Sequence, residues 1–421
     1  MTLLVHPGSV RGSVVAPPSK SYTHRAFLLG LLAEGTTTVR DALASEDPRA
    51  TLQGVEALGA RVSRDADAVR IASDGRVRPA ARVIDCLNSG TTLRLLAAIA
   101  SLGEGETKLT GDASLRKRPM QPLLDALHAL GVAAAGTEGK APITVRGPMR
   151  GGRASLPGDM SSQFVSALLL AGARTREGVE VTIQGALKSR PYVEITLEMM
   201  EDFGAKAQTT ADGFRVAGGQ RFRATDYRVP GDFSTAAFPL VAGALTGEVT
   251  VENLPARTAQ GDKAILDYLE RFGASVSRAG RLATVRRSEL RGTSIDLSDT
   301  PDAFPALCAL AAHAKGETVL SGAAHLRFKE SDRIRAMVTN LRRMGVDAQE
   351  REDGAVIRGG PVRGARGLVT EGDHRILMAL AVCGLAADGP VELDDHEAHA
   401  VSYPAFIEDF TRLGARFQVQ P

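Results

Sequence analysis

The chain has 421 residues, 43% hydrophobic and 24% charged, with a net charge of +2. That is an ordinary globular composition, too long for one compact core, so two domains are expected. Aromatics make up only 4% and no basic block exceeds Arg116-Lys117-Arg118, which argues against nucleic acid as a partner. Cys86, Cys308 and Cys383, odd in number and widely spaced, argue against a disulfide framework and for a reducing compartment. The start MTLLVHPGSVRG has no long apolar core, and apolar runs such as 164–173 are far short of a bilayer span. A cytoplasmic protein without signal peptide or membrane segment is expected.

In chain order, the elements repeat. Apolar-periodic segments end at Leu58-Gly59-Ala60, Leu130-Gly131-Val132, Phe203-Gly204-Ala205, Phe272-Gly273-Ala274, Met344-Gly345-Val346 and Leu413-Gly414-Ala415, in steps of 72, 73, 69, 72 and 69 residues. Gly35, Gly105, Gly178, Gly247, Gly316 and Gly389 keep the same beat, each followed by a strand-like stretch. Each glycine fits a helix C-terminus closed by a left-handed residue. Six copies of a helix-strand unit of roughly 70 residues are therefore expected to fill the chain. Helices are predicted at 25–33, 123–130, 164–173, 195–203, 264–272 and 334–344 from three- and four-residue spacing, and alternating strands at 60–64 and 274–278. The best candidate for the domain boundary is the stretch Asp226–Asp232, which falls between the third and fourth units and carries Pro230-Gly231.

A polar cluster precedes the first long helix of each unit: Ser19-Lys20-Ser21, Asn88-Ser89-Gly90-Thr91, Asp159 with Ser161-Ser162-Gln163, Asp232 with Ser234-Thr235, Asp302, and Asp373-His374-Arg375. Taken singly, each is ordinary capping. The cations change the weight. Lys20 and Arg25, Arg333 and Arg375 stand at or near helix starts, where a cation opposes the macrodipole by about 0.3–1 kcal/mol. Three helices with that costly choice point to a bound phosphate or carboxylate. Arg94 and Arg342 fit solvated surface arginines. Pro119, after Leu115-Arg-Lys-Arg118, is expected to open a helix at Met120. The run from Arg327 to Arg333 alternates acid and base, which suits either a capping box or a proton-transfer pair.

Together these motifs resemble the 5-enolpyruvylshikimate-3-phosphate synthase family. They are Pro18-Ser-Lys20-Ser21 with Arg25, Asn88-Ser-Gly90-Thr91, Leu109-Thr-Gly-Asp followed by Arg118-Pro119, Ser161-Ser162-Gln163-Phe164, Ser189-Arg-Pro-Tyr192, Pro301-Asp302-Ala303, Lys329-Glu330-Ser-Asp-Arg333 and Asp373-His374-Arg375. The resemblance runs from Pro17 to Pro404. It implies an α/β (α+β) fold of two similar domains, each with three helix-strand units around a pseudo-threefold axis, an inverse α/β barrel. The N-terminal domain would be 19–226, on the shikimate 3-phosphate side. Residues 1–18 and 227–421 would form the C-terminal domain, with the phosphoenolpyruvate side and the acid/base residues.

The resemblance implies transfer of the enolpyruvyl group of phosphoenolpyruvate to the 5-hydroxyl of shikimate 3-phosphate, without metal or organic cofactor, by a monomer. Shikimate 3-phosphate would be held by Lys20, Ser21, Arg25, Ser161, Ser162, Gln163, Ser189 and Tyr192, with Asp302 and Lys329. Phosphoenolpyruvate would be held by Lys20, Gly90, Arg118, Gln163, Arg333 and Arg375. Asp302 would accept the hydroxyl proton, and Lys20, Lys329 and Glu330 would serve protonation and breakdown of the tetrahedral intermediate. Gly90 would leave room for glyphosate, the family's phosphoenolpyruvate-competitive inhibitor. Val401, where many members have lysine, and His325, where some have asparagine, depart from the pattern. Two alternatives are a UDP-N-acetylglucosamine enolpyruvyl transferase of the same fold, which usually carries a cysteine in the loop here read as Gly111-Asp-Ala-Ser-Leu-Arg-Lys, and a non-catalytic anion-binding protein.

Overall fold

A computed structural model describes all residues, 1–421. The chain forms two compact units, Pro18–Pro230 and Met1–Pro17 with Gly231–Pro421. Each is described by itself.

Pro18–Pro230 contains six helices: α1 Lys20–Leu32, α2 Glu46–Ala57, α3 Gly90–Ala100, α4 Gln121–Ala129, α5 Ser162–Gly172 and α6 Pro191–Asp202. The other unit contains α7 Phe233–Thr246, α8 Ile265–Arg271, α9 Phe304–Ala312, α10 Arg333–Arg343, α11 His374–Leu385 and α12 Phe406–Arg412. Six sheets accompany them, three in each unit. Their pairing is the same each time. In one sheet Ile84–Asp85 runs parallel to Glu106–Thr110, which pairs antiparallel with Lys140–Arg146, itself antiparallel to Ala133–Thr137. Ser294–Asp296, Gly316–Ser321, Gly354–Gly359 and Asp347–Arg351 repeat that order. The repeat is thus strand, helix, strand, helix and a closing hairpin, as its glycine beat suggests.

The glycines ending the second helix of each repeat, Gly59, Gly131, Gly204, Gly273, Gly345 and Gly414, all have φ between 80° and 112°. An L side chain there costs about 1–2 kcal/mol, which is why glycine recurs. The second glycine series is less uniform. Gly247 is not left-handed, and a Cβ on it would fall 1.8 Å from the Val10 carbonyl oxygen, so close approach of the backbone selects it instead.

The first helix of each repeat is the inner one. Every residue of α7, α9 and α11 is buried, and α1, α3 and α5 are buried along almost their whole length. Helices that are apolar all round must be wrapped by others. The second helix, such as α10, shows polar residues to solvent.

The helix starts depart slightly from expectation. α4 begins at Gln121 with Pro122 in its first turn, and Leu115–Lys117 is a 3-10 turn, so Pro119 precedes the helix rather than opening it. The boundary also moves: unit Pro18–Pro230 reaches beyond the expected 226, because Phe222–Arg223 and Asp226–Arg228 both pair with Ala33–Arg40. After them Ser19 N donates to Pro230 O (2.8 Å), while Asp232 N donates to Pro17 O (2.9 Å) in the other unit.

Candidate active site

In Pro18–Pro230, chemistry gathers at the first turns of α1, α3 and α5. Lys20 opens α1 and lies 3.1 Å from Asp47 Oδ2 in the first turn of α2. A hydrogen-bonded chain ties α1 to α2 and α3: His24 Nδ1 to Thr51 Oγ1 (2.6 Å), Thr51 to Thr92 (2.6 Å), and Thr92 to the α3 cap Ser89 (2.7 Å). Burial, then the charges of Lys20 and Arg25, hold His24 well below its usual pKa, so it stays neutral.

Arg25 is 2% exposed and makes no ion pair. Its nitrogens donate to Thr196 Oγ1 (2.8 Å), Ser21 O (2.9 Å), Tyr192 O (2.9 Å) and Ser166 Oγ (3.4 Å). Burial lowers its pKa to about 10, with no carboxylate to offset it. A buried cation served only by neutral acceptors suits a neighbouring anion. Ser189 lies just before α6 with φ 56°, a left-handed serine; such conformations cluster at binding sites.

Gly90 is the first residue of α3, and a Cβ there would lie 3.0 Å from Arg118 Nη1 and 3.7 Å from Arg94 Nη1. Buried Arg118 is held by the Asn88 side-chain oxygen and by Ser114 Oγ (3.4 Å). Gln163 accepts from Arg94 Nη1 (2.8 Å) and donates to Thr91 Oγ1 (2.9 Å). Ser161 caps α5 by accepting from Gln163 N, and buried Ser162 follows it.

In the other unit the centre is Arg333, 2% exposed. It reaches three carboxylates: Asp373 Oδ2 (2.8 Å), Glu330 Oε2 (2.8 Å) and Asp302 Oδ1 (2.9 Å). Arg375, also buried, lies 3.0 Å from Asp302 Oδ2. Burial alone would raise the Asp302 carboxyl, but Arg375, Lys329 and Arg333 outweigh it and hold it below the usual carboxylate range. Asp373 caps α11 through Arg375 N (2.9 Å) while accepting from Ser331 Oγ (3.0 Å). No His, Cys, Asp or Glu side chains group in threes in a way that could hold a metal ion.

A family model for EPSP synthase (3-phosphoshikimate 1-carboxyvinyltransferase) matches residues 5–410. The chain belongs to the EPSP synthase family. It is 46% identical to a 3-phosphoshikimate 1-carboxyvinyltransferase of Methanocorpusculum labreanum and 48% identical to one of Halobacterium salinarum, covering 99% of each pair. Among solved structures it resembles EPSP synthase of Acinetobacter baumannii, with 32% identity, a TM-score of 0.84 and full coverage of both chains. The two-domain enolpyruvyl transferase fold follows.

Within this EPSP synthase family member, several expectations need correction. Arg94 is not a solvated surface arginine but is 8% exposed, its cation 5.4 Å from the Phe164 ring centre. Arg342 is exposed as expected. The basic run divides, with Arg116 and Lys117 exposed and Arg118 buried. The alternating run 327–333 divides too: Asp332 caps α10 and pairs with Arg327 (2.9 Å), whereas Glu330 and Arg333 join the carboxylate cluster. Asp47 and Asp373 were missed as partners of Lys20 and Arg333. Their own motifs carry only a capping signal, and each pairs with a cation distant in sequence.

Proposed function

We infer that the chain is a 3-phosphoshikimate 1-carboxyvinyltransferase: it transfers the enolpyruvyl group of phosphoenolpyruvate to the 5-hydroxyl of shikimate 3-phosphate and releases phosphate. The observation that carries the mechanism is Asp302 clamped between Arg333 and Arg375. In that state the carboxylate is a weak base. A phosphate or carboxylate arriving at the two guanidiniums competes for their donors, loosens Asp302 and raises its proton affinity. The substrate thereby makes its own base.

In this reading the 5-hydroxyl oxygen bonds to C2 of phosphoenolpyruvate and its proton passes to Asp302. Lys20, Lys329 and Glu330 serve the protonation of C3 and the breakdown of the intermediate. The tetrahedral intermediate then loses phosphate and one C3 proton, restoring the double bond. Arg118, Arg333 and Arg375, with Lys20, Gln163 and Gly90, hold phosphoenolpyruvate and the leaving phosphate, stabilising charge where it develops. Ser161, Ser162, Ser189 and Lys20 hold the shikimate phosphate, with Ser21, Arg25, Gln163 and Tyr192 at the ring and Asp302 and Lys329 near the reacting hydroxyl. The unpaired charge of Arg25 and the left-handed Ser189 support that placement.

The UDP-sugar alternative is not favoured: residues 111–117 contain no cysteine, and the relatives above are named for the shikimate substrate. Loss of Asp302 or Glu330 would favour a non-catalytic protein, and both are present. In this reading the chain acts as a monomer, which light scattering after size exclusion checks. The deciding experiment is phosphate release from phosphoenolpyruvate with shikimate 3-phosphate, compared with UDP-N-acetylglucosamine. Phosphate release only with the UDP-sugar overturns the reading.

A further inference from the structure

The unit containing Asp302 buries one more carboxylate that the transfer reaction leaves without a task. Asp262 lies in the 3-10 turn Gly261–Ala264 before α8 and is 4% exposed. Local structure does not call for it, since the turn begins at Gln260 without a side-chain cap and Lys263 Nζ turns to Thr258 O (3.1 Å). The Ser234 hydroxyl, in the first turn of α7, donates instead to Asp262 Oδ2. Ser234 then connects onward. Its carbonyl accepts from Arg375 Nη1 (3.4 Å), and Arg375 Nη2 meets Asp302 Oδ2 at 3.0 Å. Gln260 locks the turn to α7, accepting from Phe233 N (2.9 Å) and donating to Gly231 O (3.0 Å).

We propose that Asp262 is a positioning residue for the transfer reaction: through Ser234 and its own charge it sets where Arg375 lies and how readily Asp302 takes the hydroxyl proton. This rests on the assignment of Asp302 as proton acceptor. The charged and titratable groups facing Asp262 are Asp232 at the start of α7, Tyr268 on α8, Asp302 before α9 and Arg375 on α11. Burial first, then Asp302, pushes the Asp262 carboxyl up to about 6, against the pull of Ser234 and Arg375. When ionised, Asp262 draws on Arg375 and repels the charge of Asp302, and both effects make Asp302 the better base. Protonated, it does neither. Turnover should therefore fall as pH drops through the Asp262 ionisation, the two carboxyls titrating as a coupled pair.

The test is kcat and KM against pH for the wild type, Asp262→Asn and Asp262→Glu. We expect Asp262→Asn to lose about tenfold or more in kcat at neutral pH with a nearly unchanged phosphoenolpyruvate KM. Its acid limb near pH 6 should be gone, and Asp262→Glu should restore it. If the asparagine variant does not fold, Ser234→Ala serves: losing the hydroxyl that favours the charged form should move the limb to higher pH. Wild-type kcat in Asp262→Asn, or a lowered kcat with an unmoved limb, reduces Asp262 to packing and overturns the proposal. A wild type that releases no phosphate from the two substrates overturns the transfer reading with it. An active wild type beside variants with unmoved limbs overturns the role of Asp262 alone.

Discussion

Arg333 and Arg375 occupy helix starts that disfavour cations by about 0.3–1 kcal/mol each. What outweighs that cost is Asp302, Glu330 and Asp373, all within 3.0 Å of one guanidinium or the other. These cations are therefore internally compensated rather than bare, and Lys20 is compensated by Asp47. Replacing Asp302 or Glu330 by Ala is expected to lower kcat by about a hundredfold or more while substrate binding weakens much less. Steady-state kinetics with a direct binding measurement checks this; near-normal turnover removes that residue from the catalytic list. At Gly90 a methyl group would press Arg118 Nη1 at 3.0 Å, so Gly90→Ala should displace the guanidinium side of the proposed phosphoenolpyruvate site. The glyphosate inhibition constant should rise far more than the phosphoenolpyruvate KM, and equal inhibition constants for the two proteins would show that Gly90 does not set the space. Stability against pH follows from the same carboxylates. The raised Asp262 contributes stability that is complete below about pH 4, its unfolded value, and is lost as pH rises through about 6. The depressed Asp302 has the opposite sign, contributing above about pH 4 and losing it only in stronger acid. Urea melts of Asp262→Asn should accordingly show a smaller loss of stability between pH 4 and 7 than the wild type.

Between elements, Asp373 does two jobs at once: it caps α11 and holds Arg333, the first residue of α10. Asp373→Ala removes a cap, about 1 kcal/mol, and one partner of a buried charge, about 3–5 kcal/mol when that partner is the only one. Arg333 retains Asp302 and Glu330, so a total near 3 kcal/mol is expected by denaturant melting, about half that with Asp373→Asn. A loss below about 1 kcal/mol would show that Arg333 does not depend on Asp373. The same pairing explains what was legible beforehand. The repeat could be read because its signal is local, a glycine that must end a helix one turn before a strand. Lys20, Arg333 and Arg375 could be read because a cation at a helix start is locally wrong. Asp47, Arg94 and Asp262 could not, because their partners Lys20, Gln163 and Ser234 lie 27, 69 and 28 residues away. No spacing rule joins positions so far apart.

At the scale of the whole chain, the two units differ in how they are closed. Pro18–Pro230 is continuous, and its first sheet is completed by its own strands Phe222–Arg223 and Asp226–Arg228. The other unit borrows from the chain start. Thr2–His6 lies between Val391–Leu393 and Arg416–Gln420, antiparallel to both, and Arg11–Val15 runs parallel to Glu248–Glu252. These strands and their connection bury Leu3, Val5, Val10 and Val14 almost completely. At about 1.5–3 kcal/mol for each such side chain, their removal forfeits roughly 6–12 kcal/mol, comparable to the whole stability of a domain. Exposed strand edges left in two sheets would add to the damage. Deleting residues 1–15 is therefore expected to unfold Gly231–Pro421 and to leave Pro18–Pro230 folded. Hydrogen exchange read by peptide mass decides it. Protection should collapse across α7, α9 and α11 yet persist across α1, α3 and α5, and uniform loss over all six would show that the units do not fold independently.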